Sequence, residues 1–134
     1  MADDVSSVTL SRTSDIVFAR DAAMKAMGRI GANALKRTKF VTAVSEVARN
    51  AVIYGGGGVI SFRIQEARAG KSVVATCEDR GPGIDDVERA LQDGFTTGKG
   101  LGLGLSGARR LVDRFHIVSS AKTGTIVTLE SYSR

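Results

Sequence analysis

Three polar side chains inside one helical pattern could do chemistry together. Glu46, Arg49 and Asn50 lie in the stretch KRTKFVTAVSEVARNAVIY, residues 36–54. There Phe40, Val41, Val44, Val47, Ala48, Ala51 and Val52 mark one broad apolar face at helical spacing. Glu46 and Asn50 are four residues apart, so they stack as neighbours on another face, with Arg49 beside them further round. A carboxylate and an amide oxygen one turn apart suit a magnesium–nucleotide site. One oxygen ligates the metal, and the other group orients or deprotonates a nucleophile. The same residues would equally make an ordinary solvated helix face, so the choice depends on the rest of the chain.

A second carboxylate stands where a ligand could reach it. In residues 72–79 a strand pattern of period two puts Val73, Ala75, Cys77 and Asp79 on one face. Asp79 closes that face where the strand gives way to Arg80-Gly81-Pro82-Gly83. A carboxylate at a strand end beside glycines can bind a ligand that the backbone also touches; the plainer alternative is an aspartate that begins a turn. Cys77 reads as a small core residue. From 78 to 110 the chain carries Gly81, Gly83, Gly94, Gly98, Gly100, Gly102, Gly104 and Gly107, half of its 16 glycines. Glycine this dense is costly to order. It is kept where backbone must approach something closely or must move. The run leads into a helical pattern through Leu105, Ala108, Leu111, Val112 and Phe115, and a helix N-terminus suits phosphate.

The elements that must position these groups follow from pattern. Residues 5–10 read as a first strand, and Ser14 or Asp15 can cap a helix to about Met27, stopped by Gly28. Gly31 and Asn33 fall in a connection. After the helix at 36–54, Gly55 to Gly58 end it, and 59–66 and 72–79 read as strands around a turn at 67–71. Asp85 or Asp86 can cap a short helix. The final helix is expected to reach Phe115, with closing strands at 116–121 and 125–131 around Lys122-Thr123-Gly124. This order predicts a two-layer α/β sandwich, a mostly antiparallel sheet with helices on one face. Residues 1–134 read as one domain.

The bulk properties narrow the class. At 134 residues with 43% apolar and 25% charged side chains, the chain can bury a core without staples. One cysteine excludes an internal disulfide framework, and no Cys/His cluster suggests zinc. His116, the only histidine, reads as structural. No apolar run reaches membrane-spanning length and the N-terminus is no signal peptide, so no membrane partner and a cytoplasmic location are expected. Net charge is +5, but the positive charges are dispersed and aromatics for base stacking are few. An anionic nucleotide plus an acidic protein partner explains the charge as well as nucleic acid does, and no nucleic acid is expected.

Together, Glu46-x-x-Arg49-Asn50, Asp79-x-Gly81-x-Gly83, the run Gly100-Leu101-Gly102-Leu103-Gly104 and Gly124-Thr125 resemble the four nucleotide-binding boxes of the GHKL ATPase superfamily. That superfamily includes gyrase, histidine kinases and MutL, and its fold is the Bergerat sandwich. Four boxes in order over nearly the whole chain make a specific match. The stretches SEVARNAVIYGGGG and LQDGFTTGKGLGLGLSGARRLVDRF are most similar to the small serine/threonine kinases of bacterial stress and sporulation signalling, within them the stressosome switch kinases.

The resemblance implies ATP and Mg²⁺ as cofactors. It implies that Asp79 accepts a hydrogen bond from the adenine amino group, with Gly81 and Gly83 passing close to the base and Thr125 nearby. Asn50 would ligate Mg²⁺, and Glu46 would be the general base. Gly100, Gly102 and Gly104 would contact phosphate from a lid at about 93–104. Arg49 would contact phosphate or pair structurally. The implied substrate is a STAS-domain protein, and a PP2C-type phosphatase is the implied second partner. An anti-sigma factor of the related kinase type, which sequesters a sigma subunit, would carry the same boxes. A histidine-kinase ATPase domain is a weaker alternative, because no phosphoacceptor histidine precedes Glu46.

Overall fold

The longest helix forms because its start, its buried face and its stop are all written locally. The computed structural model describes residues 5–68, 70–83, 87, 91 and 104–134. In it the helix α2 spans Ala34–Ile53. The Asn33 side chain accepts a hydrogen bond from the Lys36 N–H at 2.9 Å, satisfying one donor of the first turn. Phe40, Val41, Ala43, Val44, Val47, Ala48 and Ala51 are all buried. Beyond Tyr54, the N–H of Gly55 returns to Asn50 O and that of Gly57 to Ala51 O, so the glycines close the last turn.

Around α2 stand β1 (Val5–Leu10), α1 (Ile16–Arg29), β2 (Gly58–Ala67), β3 (Gly70–Asp79), α3 (Leu105–Leu111), β4 (Arg114–Ser120) and β5 (Gly124–Tyr132). The five strands form one sheet in the order β1-β2-β3-β5-β4, and every ladder is antiparallel. Register aligns Ile60, Cys77, Val127 and Ile117 in one row, and Phe62, Ala75, Leu129 and Phe115 in the next. Both rows join the core with Ala19, Ala23 and Met27 of α1 and the buried face of α2. The expected two-layer sandwich is therefore present, with β3 central and its Val73-Ala75-Cys77 face buried. These contacts fix α2 against the strand that ends in Asp79.

Two element boundaries differ from the sequence expectation. Helix α1 runs through Gly28 to Arg29 instead of stopping there. The turn comes at Gly31, whose φ is 73°. There the Gly31 N–H bonds Gly28 O and the Ala32 N–H bonds Met27 O, the paired closure that needs a left-handed residue. Gly28 has ordinary helical backbone, which costs about 1 kcal/mol against alanine but does not end a helix. Asp15, expected as a cap, turns its carboxylate back to accept from the Ser11 and Arg12 N–H groups.

Helix α3 ends at Leu111 rather than Phe115. Val112 is already extended, and Phe115 pairs with Leu129 in the sheet. The cause is Asp113. Its N–H donates to Glu130 O, and its carboxylate takes the Tyr132 N–H at 2.8 Å and the Lys36 ammonium at 2.5 Å. One residue thus ties the start of α2 to both closing strands. Asp113→Ala should lower stability by about 1–3 kcal/mol, read as a fall in the urea midpoint at unchanged slope. An unshifted midpoint would show that this anchor contributes nothing. The short helix expected after Asp85 or Asp86 and the lid up to residue 103 lie outside the described residues.

Candidate nucleotide site

The end of β3 and the last two turns of α2 enclose a cavity. Its walls include Val47, Asn50, Ala51, Tyr54, Gly55, Cys77, Asp79, Gly83, Leu105, Thr125 and Val127. Four residues expected from sequence therefore meet here: Asn50 from α2, Asp79 from β3, Gly83 from the turn, and Thr125 from β5. Gly81 adjoins them, donating its N–H to Asp79 Oδ1 at 2.9 Å. Thr125 donates its N–H to the same oxygen at 3.3 Å, while its hydroxyl pairs with Ser119 Oγ at 2.8 Å. The two backbone donors hold Asp79 in one orientation and use one of its oxygens.

Close backbone packing makes this geometry possible. A Cβ on Gly55 would lie 2.6 Å from Asp79 Oδ2, and one on Gly81 would lie 2.8 Å from the Gly55 carbonyl oxygen. Only glycine leaves room for the carboxylate at this point. Glu46 is half-buried one turn before Asn50, at the edge of the cavity rather than in its walls. It abuts Gly104, the N-cap of α3, whose φ is 69°. A Cβ at Gly104 would strike Glu46 Oε2, so backbone strain and the carboxylate both demand glycine there. Arg49 is exposed and is not a wall of the cavity. Gly100 and Gly102 lie outside the described residues.

Several walls escaped sequence reading. Gly55, Tyr54, Leu105, Val47, Ala51 and Val127 all face the cavity. Val47, Ala51 and Tyr54 follow at steps of four and three along α2, so the apolar stripe carried that signal. Val127 pairs with Cys77 across β3 and β5 and so shares its face. Nothing local announced Leu105, which depends on how α3 docks.

As folded, the cavity holds about 40 Å³, the room of one or two waters. The sheet and α2 walls are locked in the core. Leu105 belongs to a smaller cluster with Tyr54, Leu91, Phe115 and Ile117.

Burial, reinforced by the neighbouring Asp79 and Glu78 carboxylates, pushes the Cys77 thiol from about 9 up to about 12. A thiol raised in the fold stabilises it fully below pH 9 and loses that contribution as pH climbs toward 12. At pH 8 the native thiolate is scarcer by about a thousandfold than in the unfolded chain. Iodoacetamide should therefore label Cys77 at least ~100-fold more slowly in native protein than in urea. Equal rates would mean the pocket floor is open to solvent.

The donor set can be compared with the groups it would hold. A carboxylate with one oxygen fixed by backbone N–H groups offers its second oxygen to an amino group, as on a purine edge. Asn50 supplies a single amide oxygen, and no cluster of three His, Cys, Asp or Glu side chains exists among the described residues. One protein ligand suits magnesium, which keeps waters and phosphate oxygens in its shell. No described helix is long and apolar enough to cross a membrane.

An antiparallel sheet layered with helices, with a strand-end aspartate facing an amide on a long helix, defines a nucleotide-binding sandwich of the GHKL type. Residues 35–132 match the family model described as Histidine kinase-, DNA gyrase B-, and HSP90-like ATPase, and the chain belongs to that family. Among its relatives is the serine/threonine-protein kinase RsbT of Bacillus subtilis (strain 168), 38% identical over 123 residues, 92% of each chain. The anti-sigma F factor of Thermoanaerobacter sp. (strain X514) is 28% identical over 127 residues, 92% of this chain and 89% of that protein. In solved structures, the RsbU and RsbW domains of Rv1364c from Mycobacterium tuberculosis superpose with a TM-score of 0.66 at 23% identity. That match covers 98% of this chain but only 32% of the mycobacterial one, and shows the fold alone.

Proposed function

We propose that this protein is an ATP-dependent serine/threonine kinase that phosphorylates a STAS-domain protein within a bacterial stress-signalling partner switch. The observation that carries the reading is the meeting of Asp79, Asn50 and Thr125 around one cavity, with Glu46 at its edge. The kinase relative matched over 92% of both chains supports it.

Each residue then has a task. Asp79 Oδ2 accepts from the purine amino group, while Oδ1 stays bound to the Gly81 and Thr125 N–H groups. Asn50 would hold a magnesium ion, which would supply charge neutralisation to the phosphates. Glu46 accepts the proton of the acceptor hydroxyl as its oxygen bonds to the terminal phosphorus. The bond from that phosphorus to the bridging oxygen breaks, and ADP departs. Phosphoryl transfer needs mostly positioning and charge neutralisation, which a carboxylate held against Gly104 can support. Phosphate contacts from Gly100, Gly102 and Gly104 belong to the same proposal, as does a lid at about 93–104 in a single domain of 1–134. A PP2C-type phosphatase is the proposed second partner, and the cytoplasm the proposed compartment.

The anti-sigma F relatives favour a second reading, in which the chain also sequesters a sigma factor. The test is incubation with γ-labelled ATP, Mg²⁺ and candidate STAS-domain proteins. Label on a STAS serine or threonine is expected. Absence of label, with a sigma factor recovered in stable complex instead, would favour the second reading.

A further inference from the structure

Helix α2 has a third face, neither core nor cavity. Leu35, Lys39, Thr42, Glu46, Arg49 and Ile53 follow at alternating steps of four and three, a straight stripe along the helix. Leu35 and Ile53 at its ends are 63% and 39% exposed, large apolar groups left in solvent. Lys39, Thr42 and Arg49 are exposed, and Glu46 is half-buried where the stripe meets the cavity edge. Glu46 is the stripe's one acidic residue.

Among the described residues the two cations of the stripe lack counter-ions. Two other lysines find partners: Lys25 with Asp21 at 3.1 Å and Lys36 with Asp113 at 2.5 Å. Lys39 and Arg49 make no ion pair among the described residues, on a chain of net charge +5. Arg49 sits about 100° round the helix from Asn50. It is absent from the cavity walls. Its charge stands on the same stripe as Glu46, where a partner approaching from outside would meet it.

We propose that this stripe is the docking track for the phosphoacceptor segment of the substrate protein, with Arg49 and Lys39 pairing acidic side chains on either side of the acceptor hydroxyl. The inference rests on the kinase reading above, which puts the acceptor hydroxyl at Glu46. Along the axis Arg49 lies about 4.5 Å from Glu46, and Lys39 about 10 Å away on the other side. An extended segment advances about 3.3 Å per residue. The acids should thus fall one or two residues from the acceptor on one side and about three on the other. Leu35 and Ile53 give apolar side chains of the same segment a place to rest. Charge complementarity of this kind selects partners and speeds encounter more than it tightens the final complex.

The test uses the full chain and the STAS-domain protein that it labels in the assay above. Lys39→Glu/Arg49→Glu should raise KM for that protein at least about tenfold at low salt, with kcat within about threefold. The difference should shrink in about 0.5 M NaCl, because both charges are exposed. Affinity for a fluorescent ADP analogue should not change. A substrate whose acids beside the acceptor are replaced by lysine should recover KM with the charge-reversed enzyme. The milder pair Lys39→Gln/Arg49→Gln should show a smaller rise in the same direction, which guards against misfolding as the cause. An unchanged KM would overturn the track, and so would a parallel loss of ADP affinity, which would make Arg49 a phosphate contact. Failure of the wild-type chain to label any STAS-domain protein would instead bring down the kinase reading and the track with it.

Discussion

Asp79→Asn should weaken nucleotide binding at least about 30-fold while leaving the fold intact. One carboxylate oxygen already accepts from the Gly81 and Thr125 N–H groups. An amide at this position must give its only acceptor oxygen to those fixed donors. Its NH₂ then points at the purine amino group, donor against donor. The loss combines a charged acceptor with a repulsive contact, about 2–4 kcal/mol, or roughly 30-fold to several hundredfold in affinity. A fluorescent-nucleotide titration reads the affinity, and a thermal melt without nucleotide controls for folding. Affinity within about threefold of wild type would mean the base sits elsewhere.

Glu46→Gln separates binding from chemistry. The side chain keeps its length and its packing against Gly104, but cannot accept a proton. Phosphoryl transfer to the substrate hydroxyl should fall by about 10²–10⁴, the usual contribution of a positioned base. Nucleotide affinity should stay within about threefold, because Glu46 lies at the cavity edge rather than among its walls. Single-turnover transfer with saturating ATP and substrate makes the measurement. A variant that transfers as fast as wild type would remove Glu46 from the mechanism. One that loses ATP binding would make it a ligand instead.

The parts of the site legible in sequence were those set by local periodicity. The apolar face of α2 required Glu46 and Asn50 to share another side, and period two along β3 required Asp79 to follow Cys77 toward the helices. Both hold. Less legible were features decided between elements. Phe115 fits a helical stripe and a strand face equally well, and only Asp113, bonded to Lys36 and Tyr132, decides for the sheet. Gly28 looked like a stop because glycine commonly ends helices, yet the stop needs a positive φ and Gly31 supplies it. The tetraglycine stretch was readable as a helix terminus. That Gly55 must clear the Asp79 carboxylate was not, since it depends on two distant segments meeting.

The most direct measurement is the structure of the protein with magnesium and a non-hydrolysable ATP analogue. The purine amino group should lie within hydrogen-bond distance of Asp79 Oδ2, with the phosphates beside Asn50 and Glu46. A nucleotide bound elsewhere, or one whose phosphates point away from α2, would contradict the account.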